Sequence, residues 1–314
     1  MIGAAQPVSA RLGAPARLRG AHAAQELSAA RQRRACAVAA AGDASQPLPA
    51  DEPLLPELLA AVRAHPFVSQ LALENFSVSA EAMDALVDVV LACKMTYFQL
   101  DKSGAPPASV GALARLLKSS NVLQILDITN DEDDAPLLGA AAGAQLAAAL
   151  AANTTLQTLS LDGVDFWDNH EAAAAVLRAA TSHPSLCELN LVHNAVWDAP
   201  WAGAQLAAVI AANSPALKEL YLGGVESDLG DVGMAPLMDA LPQNTHLRKM
   251  SSGDAGMSAE FARDRFLPAI RANTSLRTLI AGGNDTDDDP HPARAVLLEA
   301  EALVAARAAA DAAA

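Results

Sequence analysis

A short pattern of leucine-type residues, L-x-x-L-x-L, recurs eight times between residues 68 and 281. The alternation of apolar and other positions within it predicts a short β-strand with one buried face. Recurrence at intervals of 27, 28, 33, 30, 31, 30 and 29 residues indicates a repeat protein in which each repeat adds one layer. The first positions of the eight patterns are Val68, Met95, Leu123, Leu156, Leu186, Leu217, Leu247 and Leu276.

The segments between these patterns are rich in alanine and have helical periodicity. In most repeats, apolar residues lie ten and six positions before the first leucine position, as Leu146 and Leu150 do before Leu156. Residues four apart share one face of a helix, and this face is expected to pack on the strands. Helices are therefore predicted between the strands, including residues 171–180 and 202–212.

A polar column, called here the cap column, lies three positions before the strand patterns. Its members are His65, Asn153, His183, Asn244 and Asn273, with Asn213 displaced by one position. Asparagine tolerates the left-handed conformation that often ends a helix, so these residues are predicted to be left-handed caps at helix C-termini. The same position gives the two histidines a structural role and argues against catalysis by them.

The openings Asn-Thr-Thr-Leu156, Asn-Thr-His-Leu247 and Asn-Thr-Ser-Leu276 resemble those of ribonuclease-inhibitor-type leucine-rich repeats, as does the helix with Gly-Ala-Gln-Leu206. The resemblance implies an α/β solenoid, a right-handed horseshoe of about eight repeats. Its parallel strands would line the concave face and its helices the convex face. The asparagine that usually follows the last strand position by three places occurs at Asn194 and Asn284. Elsewhere it is replaced, for example by Val164 and Val225, which predicts irregular loops.

Three regions are expected along the chain. Residues 1–50 form a disordered leader and linker, residues 51–307 the repeat domain with an end cap at each end, and residues 308–314 an alanine-rich tail. The leader carries six arginines and one acidic residue before position 43, a composition typical of a plastid or mitochondrial transit peptide. Two alternatives stay open: an unstructured tail on a cytoplasmic protein, or the leader of a translocated bacterial effector.

Charge and motifs exclude several classes of function. A net charge of −15 argues against binding to nucleic acid or to an anionic membrane surface. The three cysteines are far apart and odd in number, which predicts free thiols rather than disulfides or a metal site. The acidic runs 131–134 and 285–289 are expected to be solvated loops, because the second lacks the turn glycine of a calcium-binding loop. Motifs for nucleotide, hydrolase or zinc chemistry are absent, so no catalytic residue and no cofactor is predicted.

Residues between the leucine positions are expected to point away from the core, onto the concave face. Both tyrosines of the chain occupy such positions. The predicted partner-binding residues on the strands are Tyr97, Gln99, Asp127, Glu188, Asn190, Glu219 and Tyr221. Trp167 and Trp197 each follow a strand pattern by six residues, and they either form a binding patch on the loops or hold long loops against the body.

The sequence thus predicts a monomeric, non-enzymatic interaction module whose acidic concave face binds a protein partner, preferably a basic one. A concave face that is only solvated remains an alternative. A second alternative is a regulator of an enzyme, such as an activator of a small GTPase, as found among relatives with this repeat. A third is a bacterial effector that acts on host proteins.

Overall fold

Strands and helices alternate along the chain, and the described strands all belong to one parallel sheet. The computed structural model describes residues 36–39, 54–65, 68–74, 78–103, 105–130, 137–196, 198–223, 228–253, 255–282 and 293–313. The strands lie side by side in sequence order, without any crossing of that order. They are β1 Cys36–Ala39, β2 Gln70–Glu74, β3 Tyr97–Asp101, β4 Ile125–Thr129, β5 Thr158–Asp162, β6 Glu188–Asn190, β7 Glu219–Tyr221, β8 Lys249–Ser251 and β9 Thr278–Ile280.

A helical segment connects each strand from β2 onward to the next. The α-helices are α1 Leu54–Ala64, α2 Ala80–Ala92, α3 Val110–Ser119, α4 Ala140–Ala152, α5 His170–Ser182, α6 Ala199–Ala211, α7 Gly230–Ala240, α8 Ala259–Phe261, α9 Leu267–Ala272 and α10 Arg294–Ala313. Short 3₁₀ turns occur at Pro107–Ser109 and Leu241–Gln243, and a π-helical turn at Ala262–Phe266 joins α8 to α9.

Strands β2–β9 coincide with the eight predicted patterns. The register pairs leucine positions with one another, as in Leu126 with Leu159 and Leu159 with Leu189, and each of these side chains is fully buried. The predicted α/β fold, a sheet of eight parallel strands alternating with helices, is therefore confirmed. This arrangement is compatible with a solenoid.

Strand β1 was not predicted, because it falls inside the leader that was expected to be disordered. It pairs with β2 in parallel, with Cys36 opposite Gln70. Four residues without the L-x-x-L-x-L spacing give no repeat signal, which explains why the sequence analysis missed it. The rest of the leader lies outside the described residues.

The core is one continuous cluster formed by the buried strand positions and the apolar face of the helices. Leu146 and Leu150, the pair predicted to face the strands, are 1% and 0% exposed. Small residues let neighbouring helices approach closely, since a methyl group on Gly143 would lie 2.1 Å from the side chain of Ala172. A methyl group on Gly203 in α6 would likewise lie 2.1 Å from the backbone oxygen of Gly233 in α7. The alanine-rich composition therefore serves close helix packing.

The cap column works differently from the prediction. Asn153 does follow the last residue of α4, but its backbone is extended (φ −80°, ψ 148°) and not left-handed. Its Oδ1 accepts hydrogen bonds from the amides of Thr155 and Leu156, both at 2.8 Å, and its Nδ2 donates to the carbonyl of Leu117 in the preceding repeat at 2.7 Å. An extended backbone lets the chain enter the strand while the side chain turns back to cap it. The displaced Asn213 alone in the column is left-handed, with φ +50°.

Helix α1 precedes β2, the first strand with the leucine pattern, and helix α10 follows β9, the last one. Helix α10 continues to Ala313 and so includes most of the segment 308–314 that was expected to be a separate tail. Alanine is the strongest helix former, so an alanine-rich end extends a helix rather than ending it. Among the described residues, no helix has both the length and the apolar character needed to span a membrane.

Close helix packing gives a direct test. Replacement Gly203→Ala should lower the free energy of unfolding by about 1–3 kcal/mol, because the added methyl group meets the Gly233 backbone. The matched replacement Gly111→Ala in α3 should raise it by about 0.5–1 kcal/mol, since the new methyl group has only one neighbour, at 3.9 Å. Urea denaturation followed by circular dichroism measures both. Equal effects of the two replacements would contradict this account of the α6–α7 contact.

Candidate functional site

The sheet face that does not carry the leucines, called here the open face, contains all seven predicted strand residues. Strand pairing places Tyr97, Ile125, Thr158, Glu188, Glu219 and Lys249 in one row across the sheet. It places Gln99, Asp127, Ser160, Asn190, Tyr221 and Ser251 in a second row. The residues between the leucine positions therefore form two rows of neighbouring side chains across the sheet.

A chain of side-chain hydrogen bonds crosses the open face from β3 to β6. The hydroxyl of Tyr97 donates to Gln99 Oε1 at 2.5 Å, and Gln99 Nε2 donates to Asp127 Oδ2 at 3.1 Å. From the other side, Ser160 hydrogen-bonds to Asp127, and Asn190 Nδ2 donates to Ser160 Oγ at 3.0 Å. Asp127 thus receives hydrogen bonds from both neighbouring strands. Such a network fixes the side chains in one arrangement.

Burial and neighbouring carboxylates act on the centre of this network. Burial raises the pKa of Asp127 most strongly, the hydrogen bond from Ser160 lowers it, and the carboxylates of Asp101, Asp162 and Glu188 raise it further, to about 7. Asp127 therefore keeps its proton to a higher pH than an ordinary aspartate does. The three neighbouring carboxylates place further negative charge on β3, β5 and β6.

A second group of charged residues lies on β6–β8. Glu188 and Glu219 are directly opposite each other in the register, and Tyr221 donates its hydroxyl to Glu219 Oε2 at 2.6 Å. Lys249 Nζ lies 4.0 Å from the same oxygen and 5.0 Å from the centre of the Tyr221 ring. Burial, the hydrogen bond to Glu219 and the charges of both glutamates all raise the pKa of Tyr221, so its hydroxyl stays protonated. Lys249 thus places a positive charge beside the two glutamates of this row.

The tryptophan on the loop after β5 is not exposed to a partner. Trp167 is 5% exposed and lies edge-on to Phe166 and Trp201, with ring centres 4.9 and 6.2 Å apart. Trp201 in turn stacks on His170 at 3.8 Å. The aromatic rings therefore hold the loop against α6, and Trp167 does not belong to an exposed binding patch. Trp197 lies outside the described residues.

Two asparagines support the loops at the edge of the open face. Asn194 accepts hydrogen bonds from the amides of Val164 and Phe166 at 3.0 and 2.9 Å, so the replaced position 164 is still held by its neighbour's asparagine. Asn130 accepts from the amide of Ala105 at 3.2 Å in the same manner. The sequence analysis missed Asn130 because it follows its strand's last apolar position by two residues and not three. Asn284 and Val225 lie outside the described residues.

A histidine–carboxylate contact at this edge was also missed. His193 Nδ1 lies 2.8 Å from Asp162 Oδ1, and His193 has a left-handed backbone, with φ +56°. One sign of it was present in the sequence: the tight turn after β6 contains His193 and not glycine. The contact puts one titratable base beside the acidic part of the open face.

The structure offers no arrangement for a metal ion within the described ranges, where groups of three or more suitable side chains do not occur. The two acidic runs 131–134 and 285–289 are outside these ranges. Cys93 and Cys187 are not joined in a disulfide. What the open face can do chemically is present fixed acceptors, donors and negative charge to a bound molecule.

Ionisation of Asp127 predicts a pH-dependent contribution to stability. A folded-state pKa of about 7, above the ordinary 3.8, means that this contribution is complete below the ordinary value and is lost as pH rises through about 7. Replacement Asp127→Asn removes the cost of ionisation, so the variant should gain stability relative to the wild type between pH 5 and pH 8, by at most about 1.4 kcal/mol per pH unit. Urea denaturation across this range measures the difference.

The control for this test is Asp168→Asn, which makes the same change in charge at an exposed position on a loop. A pH trend confined to the Asp127 variant would support the surroundings of Asp127 as its cause. A similar trend in both variants would show that overall charge, and not the surroundings of Asp127, causes the effect.

Comparison with known proteins adds no identification. No protein-family model matches the chain. No characterised protein is significantly similar to it in sequence.

Proposed function

We propose that this chain is a non-enzymatic interaction module of the leucine-rich-repeat type, which binds a basic protein partner on its open face as a monomer. The observation that carries the proposal is the set of carboxylates fixed on this face, where Glu188 lies directly opposite Glu219 and Asp127 is hydrogen-bonded from both neighbouring strands. A cation supplied by a partner would relieve the repulsion between these carboxylates. The free energy gained by neutralising these carboxylates is released only when a partner binds. It therefore favours partners that carry positive charge.

The repeat type is supported by three features acting together. The strands follow one another at intervals near 30 residues, their leucine positions are in register, and asparagine side chains join one repeat to the next. In the last of these, Asn244 Nδ2 donates to the carbonyl of Ile210, and Asn273 Nδ2 to that of Leu241, each at 2.8 Å. These links repeat the bridge made by Asn153 and are what a stack of leucine-rich repeats requires between layers.

A rigid open face is suited to binding without a large entropic cost. Strands β2–β8 are each held by backbone hydrogen bonds to two neighbours, and the side chains from Tyr97 to Asn190 are held by one another. Side chains that are already ordered lose little freedom when a partner binds. A protein surface is therefore a better match than a flexible small molecule.

The distribution of charge suggests where the partner's basic residues lie. Asp101, Asp127, Asp162 and Glu188 act together on β3–β6, and Glu219 adds to them on β7. Lys249 on β8 marks the limit of the acidic area. Arginine or lysine side chains of the partner would thus contact β4–β7, and a basic group over β8 would be repelled.

The two tyrosines are the expected anchors within this area. Tyr97 and Tyr221 are half-buried, so part of each side chain stays accessible while the rest packs on the protein. Tyrosine provides a large apolar contact area with few rotatable bonds and is frequent at binding hot spots. Tyr97 marks the β3 side of the acidic area and Tyr221 the β7 side.

Affinity capture with the full chain, followed by mass spectrometry and a titration of the captured partner, tests the proposal. Replacement Glu188→Lys should weaken the partner's affinity roughly tenfold or more, because it places a positive charge beside the partner's own cations. Glu188 is on the open face, so the folded structure should persist, as circular dichroism can confirm.

The matched control is Glu260→Lys, an identical change at an exposed position on α8, away from the open face. It should leave the affinity within about twofold of the wild type. A partner that binds equally well to the Glu188 variant, or is weakened equally by the Glu260 variant, would refute binding on the open face.

A further inference from the structure

His183 occupies the cap column at the end of α5, where other repeats have asparagine. The ring is 2% exposed, and its Nδ1 accepts hydrogen bonds from the backbone amides of Ser185 at 3.3 Å and Leu186 at 3.0 Å. These are the amides that lead into β6. The turn between α5 and β6 therefore depends on a ring nitrogen that must not carry a proton.

Asparagine performs the same task elsewhere without being titratable. In the following repeats, the Oδ1 of Asn244 accepts from the amides of His246 and Leu247, at 3.1 and 2.8 Å. Asn273 does the same for Ser275 and Leu276. An amide oxygen accepts hydrogen bonds at any ordinary pH, whereas an imidazole nitrogen does so only when the ring is neutral.

The surroundings of His183 oppose its protonation. Burial lowers the pKa of the ring below its ordinary 6.5, and the only opposing influence is the backbone of Asn153 in the preceding repeat. Neither α5, β6 nor the turn at Asn153 brings a charged side chain that acts on the ring within the described residues. The other ring nitrogen, Nε2, is buried without a hydrogen-bond partner of good geometry. A second proton on the ring would thus face two N–H donors at Nδ1 and have no carboxylate to balance it.

We propose that His183 is an acid-sensitive cap: when the pH falls below the range in which histidine is ordinarily neutral, the ring takes up a proton, releases the amides of Ser185 and Leu186, and opens the turn before β6. Strand β6 carries Glu188 and Asn190, two and four residues after Leu186. Opening of the turn would disorder these side chains. Acid would therefore weaken the binding of a basic partner, a consequence that rests on the proposed function of the open face.

The direction of the effect follows from proton linkage. The open turn binds a proton with the ordinary affinity of histidine, and the closed turn binds it more weakly. Closed-state stability from this cap is therefore complete above the ordinary pKa and is lost as pH falls below it. For an open-state pKa of 6.5, the opening equilibrium rises by as much as about thirtyfold between pH 7.5 and pH 5.

Hydrogen–deuterium exchange of the full chain tests this proposal without any partner. Protection factors, corrected for the intrinsic effect of pH on exchange, should fall by as much as about thirtyfold for residues 185–188 between pH 7.5 and pH 5. The variant His183→Asn supplies the acceptor that three other repeats use, and its protection should not change with pH. The amides of Thr155 and Leu156, capped by Asn153, serve as an internal reference in both proteins.

Three results would overturn the acid-sensitive cap. One is constant protection of residues 185–188 across this pH range, another is an equal fall in the His183→Asn variant, and the third is an equal fall at Thr155 and Leu156. None of them depends on partner binding, so they leave the proposed function intact. Conversely, a partner that binds equally well to the Glu188 variant would refute binding on the open face without altering the exchange result.

Discussion

The hydrogen-bonded register between parallel strands is the constraint on which the rest of the structure depends. A slip by one residue would turn every leucine of a strand outward and every polar residue inward. Because the register is held, Leu126, Leu159 and Leu189 stack in the core while Asp127, Ser160 and Asn190 stack on the open face. The same backbone bonds thus build the core and set the spacing of the polar network. The concentration of carboxylates around Asp127 is a consequence of this stacking.

The strands and their two faces could be predicted from the sequence. The leucine pattern recurs about every 30 residues, which locates the strands, and alternate residues within each pattern face opposite sides of the sheet. The conformation of the cap residues could not be predicted, because asparagine can end a helix through a left-handed backbone or through hydrogen bonds of its side chain. At Asn153 the bridge to Leu117 decides in favour of the side chain, and this carbonyl belongs to another repeat. The burial of Trp167 similarly depends on its contact with Trp201. The spacing of the two residues in the sequence does not predict this contact.

Two titratable groups make the stability of adjacent repeats respond to pH in opposite directions. Asp127 contributes most when it is protonated, because burial and its neighbours raise its pKa, whereas His183 contributes most when it is neutral, because burial lowers its pKa. Acid therefore relieves the centre of the open face while it weakens the turn before β6.

The cap column also limits which covalent modification the folded chain can accept. Asn153-Thr-Thr and Asn273-Thr-Ser both fit the acceptor pattern for N-linked carbohydrate. Their side chains are only 3% and 0% exposed, and their Nδ2 atoms donate to carbonyls of the preceding repeat. A sugar on either nitrogen has no space in the folded state. Glycosylation of these asparagines would have to precede folding, and it would leave the repeat without the bond that joins it to its neighbour.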